Sequence, residues 1–476
     1  MTNELLALGA TDMLERYASG DLSPVEVARA VLDQIERLNP TVNAFCHIDP
    51  DFTLSAARES EARWRRGESR GALDGVPVAV KDVFLTPMWP TLKGSRTVDP
   101  QTTLGQHAPA TAALERNGYV PVGKTTTPEF GWKGVTDCPL HGVTVNPWDT
   151  TRTAGGSSGG SAVAVALGMA PLALGTDAGG SIRIPAGFCG LVGLKPSRGE
   201  VPHWPPPPYG ELAHAGPMAW TVRDCALLMN VLTEGDPRDV NAAPRRGIDY
   251  LQALEHGVKG LRVGYSASLG YVDVTPEIEA AVERAAGIFE AMGAHVVAVD
   301  PSFSDPLSAF NHLFYSGTAA VVHKLSNRKR EVLDPELRKV AERAAQLTML
   351  DYLSAVAERN ALSERMARFH LRYDLLLTPA LPLTAFDAGR EVPVDWPSTR
   401  WPTWTPFTYP FNMTGQPALA VPCGFAGDGM PISLQLVGRR YEDALVLRAG
   451  HAWQQAEPLT AHRPSLFHSD PAALEA

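Results

Sequence analysis

Two serines stand in settings that suit nucleophilic chemistry. Ser157 lies in the run Arg152 to Ser161, which reads Arg-Thr-Ala-Gly-Gly-Ser-Ser-Gly-Gly-Ser, and Ser181 follows in a second Gly-Gly-Ser cluster. Glycine lets the backbone turn sharply and come close to another group, and it leaves backbone N–H groups beside these hydroxyls. Both clusters flank a short apolar segment. The presence of both glycine–serine clusters favours a catalytic loop over a pair of flexible turns.

Two familiar loop chemistries fit this segment poorly. The glycines from Gly155 to Gly160 have the spacing of a phosphate-binding loop, but Ser161 stands where that motif requires lysine. Gly156 to Gly160 also matches the G-x-S-x-G elbow of α/β-hydrolases. That elbow needs a strand before it, and Asn146 to Thr153 is rich in proline and threonine rather than strand-like.

A lysine can activate a serine if it is uncharged. A free lysine at pH 7 is neutral in about one molecule in 2,500, but burial among apolar groups lowers the pKa by several units. Lys81 lies in an apolar stretch and could then act as a general base. A strand-end lysine paired with Asp82 is the simpler interpretation from periodicity alone. By composition three other lysines qualify equally: Lys124, Lys133 and Lys195.

Strand-like and helix-like patterns alternate around these residues and predict an α/β protein with a mixed sheet. Ser23-Pro24-Val25-Glu26 is a capping box that starts an amphipathic helix, which we expect to end near Asn39-Pro40. Further helices are predicted over 110–117, 162–169, 276–292, 337–373 and 442–454. Strands are predicted over 76–83, 119–122, 172–174, 261–265, 295–299, 375–377, 418–421 and 432–437.

Composition excludes several classes of protein. The 476 residues include 42 basic and 52 acidic side chains, so no overall positive field draws the chain to nucleic acid or anionic lipid. The basic run 324–330 is interpreted as a solvated helix end or loop. Five cysteines without a CxxC pair argue against a disulfide scaffold or structural zinc and suit a reducing compartment. No signal peptide or membrane span is expected, which predicts a cytoplasmic protein without metal or cofactor.

Taken in order, the motifs resemble the amidase signature family of serine hydrolases. The matching stretches are Gly75 to Asp82, Gly123 to Phe130, Asn146-Pro147, Gly155 to Ser161, Gly175 to Arg183, Cys189 to Pro196, His214 to Met218, Thr221 to Asp224, Asn412 to Pro417 and Gly429 to Ile432. The resemblance implies an α/β amidase signature fold, with a large mixed twisted β-sheet surrounded by α-helices. It also implies a single domain over 1–476, with a signature core over about 70–225 and the remainder, 226–476, completing the sheet and the pocket.

The resemblance assigns roles to the chemical residues. Ser181 matches the nucleophile, Ser157 the bridging serine on a cis peptide bond, and Lys81 the base. The implied oxyanion hole consists of backbone N–H groups of Ala178, Gly179, Gly180 and Ser181. Buried charges need partners, so Asp177 and Arg183 are interpreted as structural. Ser158 and Thr176 are expected to be hydrogen-bonding neighbours of the site.

The implied activity is hydrolysis of a small apolar or aromatic carboxylic amide through an acyl-enzyme. Four aromatic residues are candidate substrate contacts: Phe130, Trp132, Trp204 and Trp404. Two alternatives stay open, the glutaminase subunit of a tRNA-dependent amidotransferase and a catalytically silent binding protein. The expected partner is a small-molecule amide, and a homodimer is the expectation that the family carries. The proline-rich segment Val201 to Gly210 is interpreted as a domain boundary or a lid.

Overall fold

An 11-stranded mixed sheet is the centre of the protein, which a computed structural model describes over residues 2–468. Its strands, with the two of a small separate ribbon (β4 and β5), are β1 Phe45–His47, β2 Pro77–Lys81, β3 Val120–Thr125, β4 Asp137–Cys138, β5 Gly142–Val143, β6 Leu172–Asp177, β7 Val192–Lys195, β8 His214–Ala219, β9 Arg262–Tyr265, β10 His295–Ala298, β11 Leu375–Pro379, β12 Ala418–Phe425 and β13 Pro431–Gly438.

Helices surround the sheet. Within residues 2–468 they are α1 Thr2–Leu6, α2 Ala10–Ser19, α3 Pro24–Val42, α4 Pro50–Arg65, α5 Pro109–Arg116, α6 Gly159–Ala166, α7 Arg183–Cys189, α8 Val222–Leu232, α9 Pro276–Ala291, α10 Leu307–His323, α11 Asn327–Arg330, α12 Pro335–Ala344, α13 Met349–Phe369, α14 Tyr409–Met413, α15 Asp443–Ala456 and α16 Ser465–His468. No helix in this range is long and apolar enough to cross a membrane.

The sheet order is β1-β3-β2-β6-β8-β7-β12-β13-β11-β9-β10. Strands β3, β2 and β6 run parallel, and so do β11, β9 and β10, whereas the strands between β6 and β11 pair antiparallel. The expected large mixed sheet surrounded by helices is therefore confirmed. Strands from both sides of residue 225 join one sheet, and the single domain over 1–476 stays a prediction.

Alternation along the central strands directs side chains into two different cores. On β2, Val78 and Val80 belong to the core that contains α5, α8 and α15, whereas Ala79 belongs to the core that contains α3 and α6. Ala173 of β6 likewise faces the α6 side. Because alanine is small on that face, α6 packs close to the strands. This contact fixes the loop that precedes α6 against the ends of β2 and β6.

The capping box at Ser23 is confirmed, but the helix that it starts runs past its predicted end. Ser23 Oγ accepts a hydrogen bond from Val25 N, and Glu26 accepts one from Ser23 N at 2.9 Å. Helix α3 continues through Pro40 to Val42. Val42 is fully buried, so its packing offsets the hydrogen bond that a proline in a helix lacks.

Several elements escaped the sequence patterns. Strand β8 contains Gly216 and Pro217, which weaken a strand signal, yet all six of its residues are buried between β6 and β7. Helices α4, α8 and α10 were not predicted either. The other predicted helices and strands are present with boundaries shifted by a few residues, and the stretch 337–373 divides into α12 and α13.

The close packing of α6 can be tested by the sign of the stability change when a helix glycine is replaced by alanine. Gly→Ala inside a helix normally stabilises by about 1 kcal/mol. At Gly160 the added Cβ would lie 2.4 Å from the Ala44 carbonyl oxygen, so we expect Gly160→Ala to destabilise by about 1–3 kcal/mol in denaturant unfolding. Gly287 of α9 has open space around the same atom, so Gly287→Ala is the matched control and should stabilise. Stabilisation by both substitutions would contradict the packing described here.

Candidate active site

The candidate catalytic residues lie close together where two parallel strands end. Lys81 is the last residue of β2, and Thr176 lies near the end of the neighbouring strand β6. Ser157 and Ser158 directly precede α6, which packs on both strands. The peptide bond between Gly156 and Ser157 is cis, as the family resemblance implied. Carboxyl ends of parallel strands share one sheet edge, which is a common location for ligand sites.

Three hydroxyl groups surround the Lys81 amine. Its Nζ lies 2.7 Å from Ser157 Oγ, 3.0 Å from Ser158 Oγ and 2.9 Å from Thr176 Oγ1. Burial lowers the pKa of Lys81 well below its usual range, and the more distant Asp177 opposes that shift only in part. No carboxylate of the described residues forms an ion pair with this amine. Its environment therefore favours the neutral form.

The competing lysines are engaged elsewhere, and the Lys81–Asp82 pairing is wrong. Asp82 Oδ1 lies 3.4 Å from the amine of Lys124, which also donates to the Phe84 carbonyl. Lys133 is held between two carboxylates, and Lys195 donates to backbone carbonyls. Lys81 is the one of the four whose amine contacts a serine hydroxyl in the residues described.

Ser181 and Ser157 line the same cavity, whose volume is about 300 Å³. Ser181 belongs to the loop between β6 and α7. In this loop Gly180 has a φ of +128°, a conformation that side-chain-bearing residues rarely adopt. A Cβ at Gly180 would also lie 2.5 Å from Thr408 Oγ1. Glycine is therefore required here both by conformation and by space.

The loop presents backbone donors beside Ser181, with one exception to the predicted set. The N–H of Gly180 donates to Asp177 Oδ1 at 2.7 Å, so it is committed to the fold. This corrects the expectation that Gly180 contributes to an oxyanion hole. The N–H groups of Ala178, Gly179 and Ser181 have no acceptor among residues 2–468.

A buried ion pair shapes this loop. Arg183 donates to both carboxylate oxygens of Asp177, each at 3.0 Å, and both side chains are fully buried. Burial by itself would raise the pKa of Asp177, but the guanidinium of Arg183 holds it below its usual range. The same carboxylate accepts the backbone N–H of Gly180 and of Ile182. The pair thus sets the path of the backbone on both sides of Ser181.

Three residues far along the chain complete the network. Arg183 donates to Asn412 Oδ1 at 2.7 Å, to Gln435 Oε1 at 2.8 Å and to the Thr408 carbonyl at 3.0 Å. Together with the two bonds to Asp177, these contacts occupy all the N–H donors of the guanidinium. This agrees with a structural role for Arg183. Asn412 belongs to a stretch that carries the family resemblance, but no local pattern links Gln435 or Thr408 to the Ser181 loop.

The cavity wall combines apolar side chains with the proline-rich segment. Residues 202–209, including a cis bond between Trp204 and Pro205, form one side. Phe130 and Trp204 lie in the wall, where we predicted substrate contacts. Tyr209 lies there as well and stacks on Phe314 at 4.2 Å between ring centroids. The segment is thus part of the cavity wall, and its interpretation as a domain boundary or a lid stays a prediction.

Trp132 and Trp404 do not line the cavity, so their assignment as substrate contacts is corrected. Trp132 is fully buried in a small core with Val322 and Leu337. Trp404 is also fully buried and stacks on Phe188 with 5.7 Å between centroids. Both indoles contribute to packing behind the site, because neighbouring chain covers their faces.

Cys46, Asp82 and His141 place possible metal ligands within 4.8 Å of one another. Two features oppose a cation there. Burial raises the pKa of the Cys46 thiol well above its usual value, and the Lys124 amine lies 3.4 Å from Asp82. All five cysteines are free.

The fold and the site together define the class of this protein. A family model described as Amidase matches residues 26–447, and the chain belongs to that family. It is an enzyme of the carbon–nitrogen hydrolase type, with the amidase signature fold.

Among individual relatives, the chain is 37% identical over 492 residues to the A subunit of glutamyl-tRNA(Gln) amidotransferase from Chloroflexus aurantiacus, covering 97% of this chain and 99% of that one. It is 36% identical over 474 residues to an acylamidase of Rhodococcus erythropolis, covering 96% and 97%. The crystal structure of a bacterial aryl acylamidase superimposes with a TM-score of 0.90 at 30% identity, covering 98% and 99%.

The Asp177–Arg183 pair can be tested by removing one partner. Arg183→Met leaves a buried carboxylate without its cation, and we expect a loss of about 3–5 kcal/mol of unfolding free energy. Arg262→Met breaks an exposed pair with Asp374 and serves as the control, with little expected change in Tm. Equal effects of the two substitutions in thermal unfolding would contradict the structural role of Arg183.

Proposed function

We propose that this enzyme hydrolyses a small apolar or aromatic carboxylic amide through a Ser181 acyl-enzyme. The observation that carries the proposal is the Lys81 amine, which is buried without a carboxylate partner and lies 2.7 Å from Ser157 Oγ. Ser157 and Ser181 share one cavity. These features support a lysine base, a bridging serine and a nucleophile.

The hydrogen-bond pattern suits a neutral amine. Ser158 Oγ already donates to the Thr176 carbonyl at 3.2 Å, so it accepts from Lys81. Thr176 Oγ1 can accept the second N–H, which leaves the nitrogen lone pair for the Ser157 O–H. A neutral amine therefore satisfies its two donors and directs its lone pair at the bridging serine.

The reaction then proceeds in two halves. Lys81 takes the Ser157 proton while Ser157 takes that of Ser181, and Ser181 Oγ bonds to the amide carbon. Backbone N–H groups of Ala178, Gly179 and Ser181 stabilise the resulting oxyanion. The proton returns through Ser157 to the leaving nitrogen as the C–N bond breaks. Water, deprotonated by the same relay, then cleaves the ester to give the acid and regenerate Ser181.

Glutamine hydrolysis within an amidotransferase complex is the second candidate, and the 37% identity to such a subunit favours it. A free amino acid carries an ammonium group that needs an anionic partner. The one carboxylate in the described cavity wall is Asp177, and Arg183 neutralises it. This favours an amide without an ammonium group. Hydrolysis of glutamine but not of aryl amides would reverse the preference.

Ser181 is tested by a covalent probe. We expect Ser181→Ala to abolish amide turnover and to prevent labelling by a fluorophosphonate, because the nucleophilic oxygen is gone. Ser69→Ala removes an exposed hydroxyl and should change neither property. Mass spectrometry of the labelled wild-type enzyme locates the residue that carries the adduct. A well-folded wild-type protein without an adduct would instead favour the catalytically silent binding protein.

Lys81 is tested by the dependence of rate on pH. Protonation removes the lone pair of the base, so kcat/KM should fall as the pH drops through the lowered pKa of Lys81, giving a neutral-to-alkaline optimum. Lys81→Ala should slow turnover by about 10²–10⁴-fold and flatten that acidic limb. Circular dichroism checks that the variant is folded. An optimum near pH ~4–5, or full activity of the variant, would contradict a lysine base.

A further inference from the structure

Two lysines in the cavity wall have no part in the proposed relay. Lys93 lies between β2 and α5 and is half-buried, and Lys324 follows the last residue of α10 and is exposed. Neither amine forms a hydrogen bond or an ion pair with the residues described. Two other cations of the basic run, Lys329 and Arg330, differ from Lys324 because they donate to backbone carbonyls. The interpretation of Lys324 as part of a solvated helix end or loop therefore leaves out its place in the cavity wall.

The charges of the described wall do not cancel. Asp177 is its one carboxylate, and Arg183 pairs with it. His203 adds no charge at neutral pH, because burial lowers its pKa to about 4. Lys93 and Lys324 thus leave the cavity positive, and a cleft with apolar walls concentrates such a field on small ions of opposite charge.

The backbone holds Lys93 in an unusual conformation. Lys93 and Phe130 both have left-handed φ values, 55° and 54°, and both line the cavity. The N–H of Phe130 donates to the Lys93 carbonyl at 2.8 Å, which joins the two residues. Non-glycine residues are strained in this region and occur there preferentially at functional sites. Here the strained conformation places an unpaired cation beside a predicted substrate contact.

We propose that the substrate is an amide that also carries a carboxylate, bound by Lys93 and Lys324 at a distance from the scissile bond. This inference rests on the proposed amidase function and adds the charge of its substrate. Burial lowers the pKa of Lys93, and Asp82 opposes that shift only in part, so the ammonium is unfavourable there and an anion beside it would relieve it. The apolar residues of the cavity wall then contact the uncharged part of the substrate.

The test compares amides that differ in one charge. The first pair consists of adipic acid monoanilide and hexananilide, with the carboxylate on the acyl side. The second consists of 3-acetamidobenzoate and 3-methylacetanilide, with the carboxylate on the amine side. For each pair, the ratio of the two kcat/KM values is measured for the wild type and for K93M and K324M. A ratio is unaffected by a loss of active protein.

We expect one or both pairs to favour the carboxylate in the wild type, and each lysine variant to lower that preference about fivefold. High salt should also lower it, because salt screens charge pairs. K259M removes an exposed lysine outside the cavity wall and is the matched control, with an unchanged ratio. Equal ratios in the wild type and both cavity variants would overturn the proposal.

A binding measurement separates this inference from the proposed function. Calorimetry with Ser181→Ala protein compares the two members of each pair without turnover. If the wild type hydrolyses no amide but the carboxylate member of a pair binds in a lysine-dependent way, the anion site is retained and the amidase is overturned. Ready hydrolysis of hexananilide, with no lysine-dependent preference in rate or binding, would retain the amidase and overturn the anion site.

Discussion

The site depends on one contact, that of a buried amine with three hydroxyl groups. Lys81 is removed from water at the end of β2, yet it meets Ser157, Ser158 and Thr176 rather than a carboxylate. A carboxylate at that position would have stabilised the ammonium and removed the lone pair from use. Hydroxyls satisfy the amine without fixing its charge. The position of α6 against the small residues of β2 and β6 follows from the same requirement, because it brings Ser157 and Ser158 to the amine.

A second buried charge performs the opposite task. Asp177 and Arg183 keep their charges by pairing, and the pair organises the loop that carries Ser181. A buried pair of this kind is a poor source of stability compared with apolar packing, but removing one partner is costly. Here the carboxylate also accepts two backbone N–H groups of the loop. The network therefore fixes loop geometry, and through Gln435 it ties the loop to the distant strand β13. One active-site edge thus combines a lysine that is free of carboxylates with a carboxylate that is fully neutralised.

The sequence predicted those parts of the protein that depend on local pattern. Helix caps such as Ser23 and strands such as β2 follow from short-range physics, and the glycine clusters identified the loops of Ser157 and Ser181. The choice of Lys81 over Lys124 did not follow from composition; it required the family resemblance, and the hydroxyl contacts now provide a physical reason. Packing decided the remainder. Trp132 and Trp404 are of a residue type that often lines pockets, but neighbouring parts of the chain cover both side chains. Lys93 enters the cavity wall from a segment that no motif marks, and Lys324 enters it from a basic run that its composition alone assigns to solvent.

The proposed anion site must also be compatible with a neutral base. A substrate carboxylate inside the same apolar cavity would raise the pKa of Lys81, since a nearby negative charge favours the ammonium. Lys93 and Lys324 would cancel much of that field by pairing with the carboxylate, as Arg183 does for Asp177. Positive charge in the wall would by itself favour the neutral form of Lys81, since like charges disfavour the ammonium. Under this proposal, cations in the wall would serve both recognition and the base, whereas an acidic wall suited to an ammonium substrate would work against the relay.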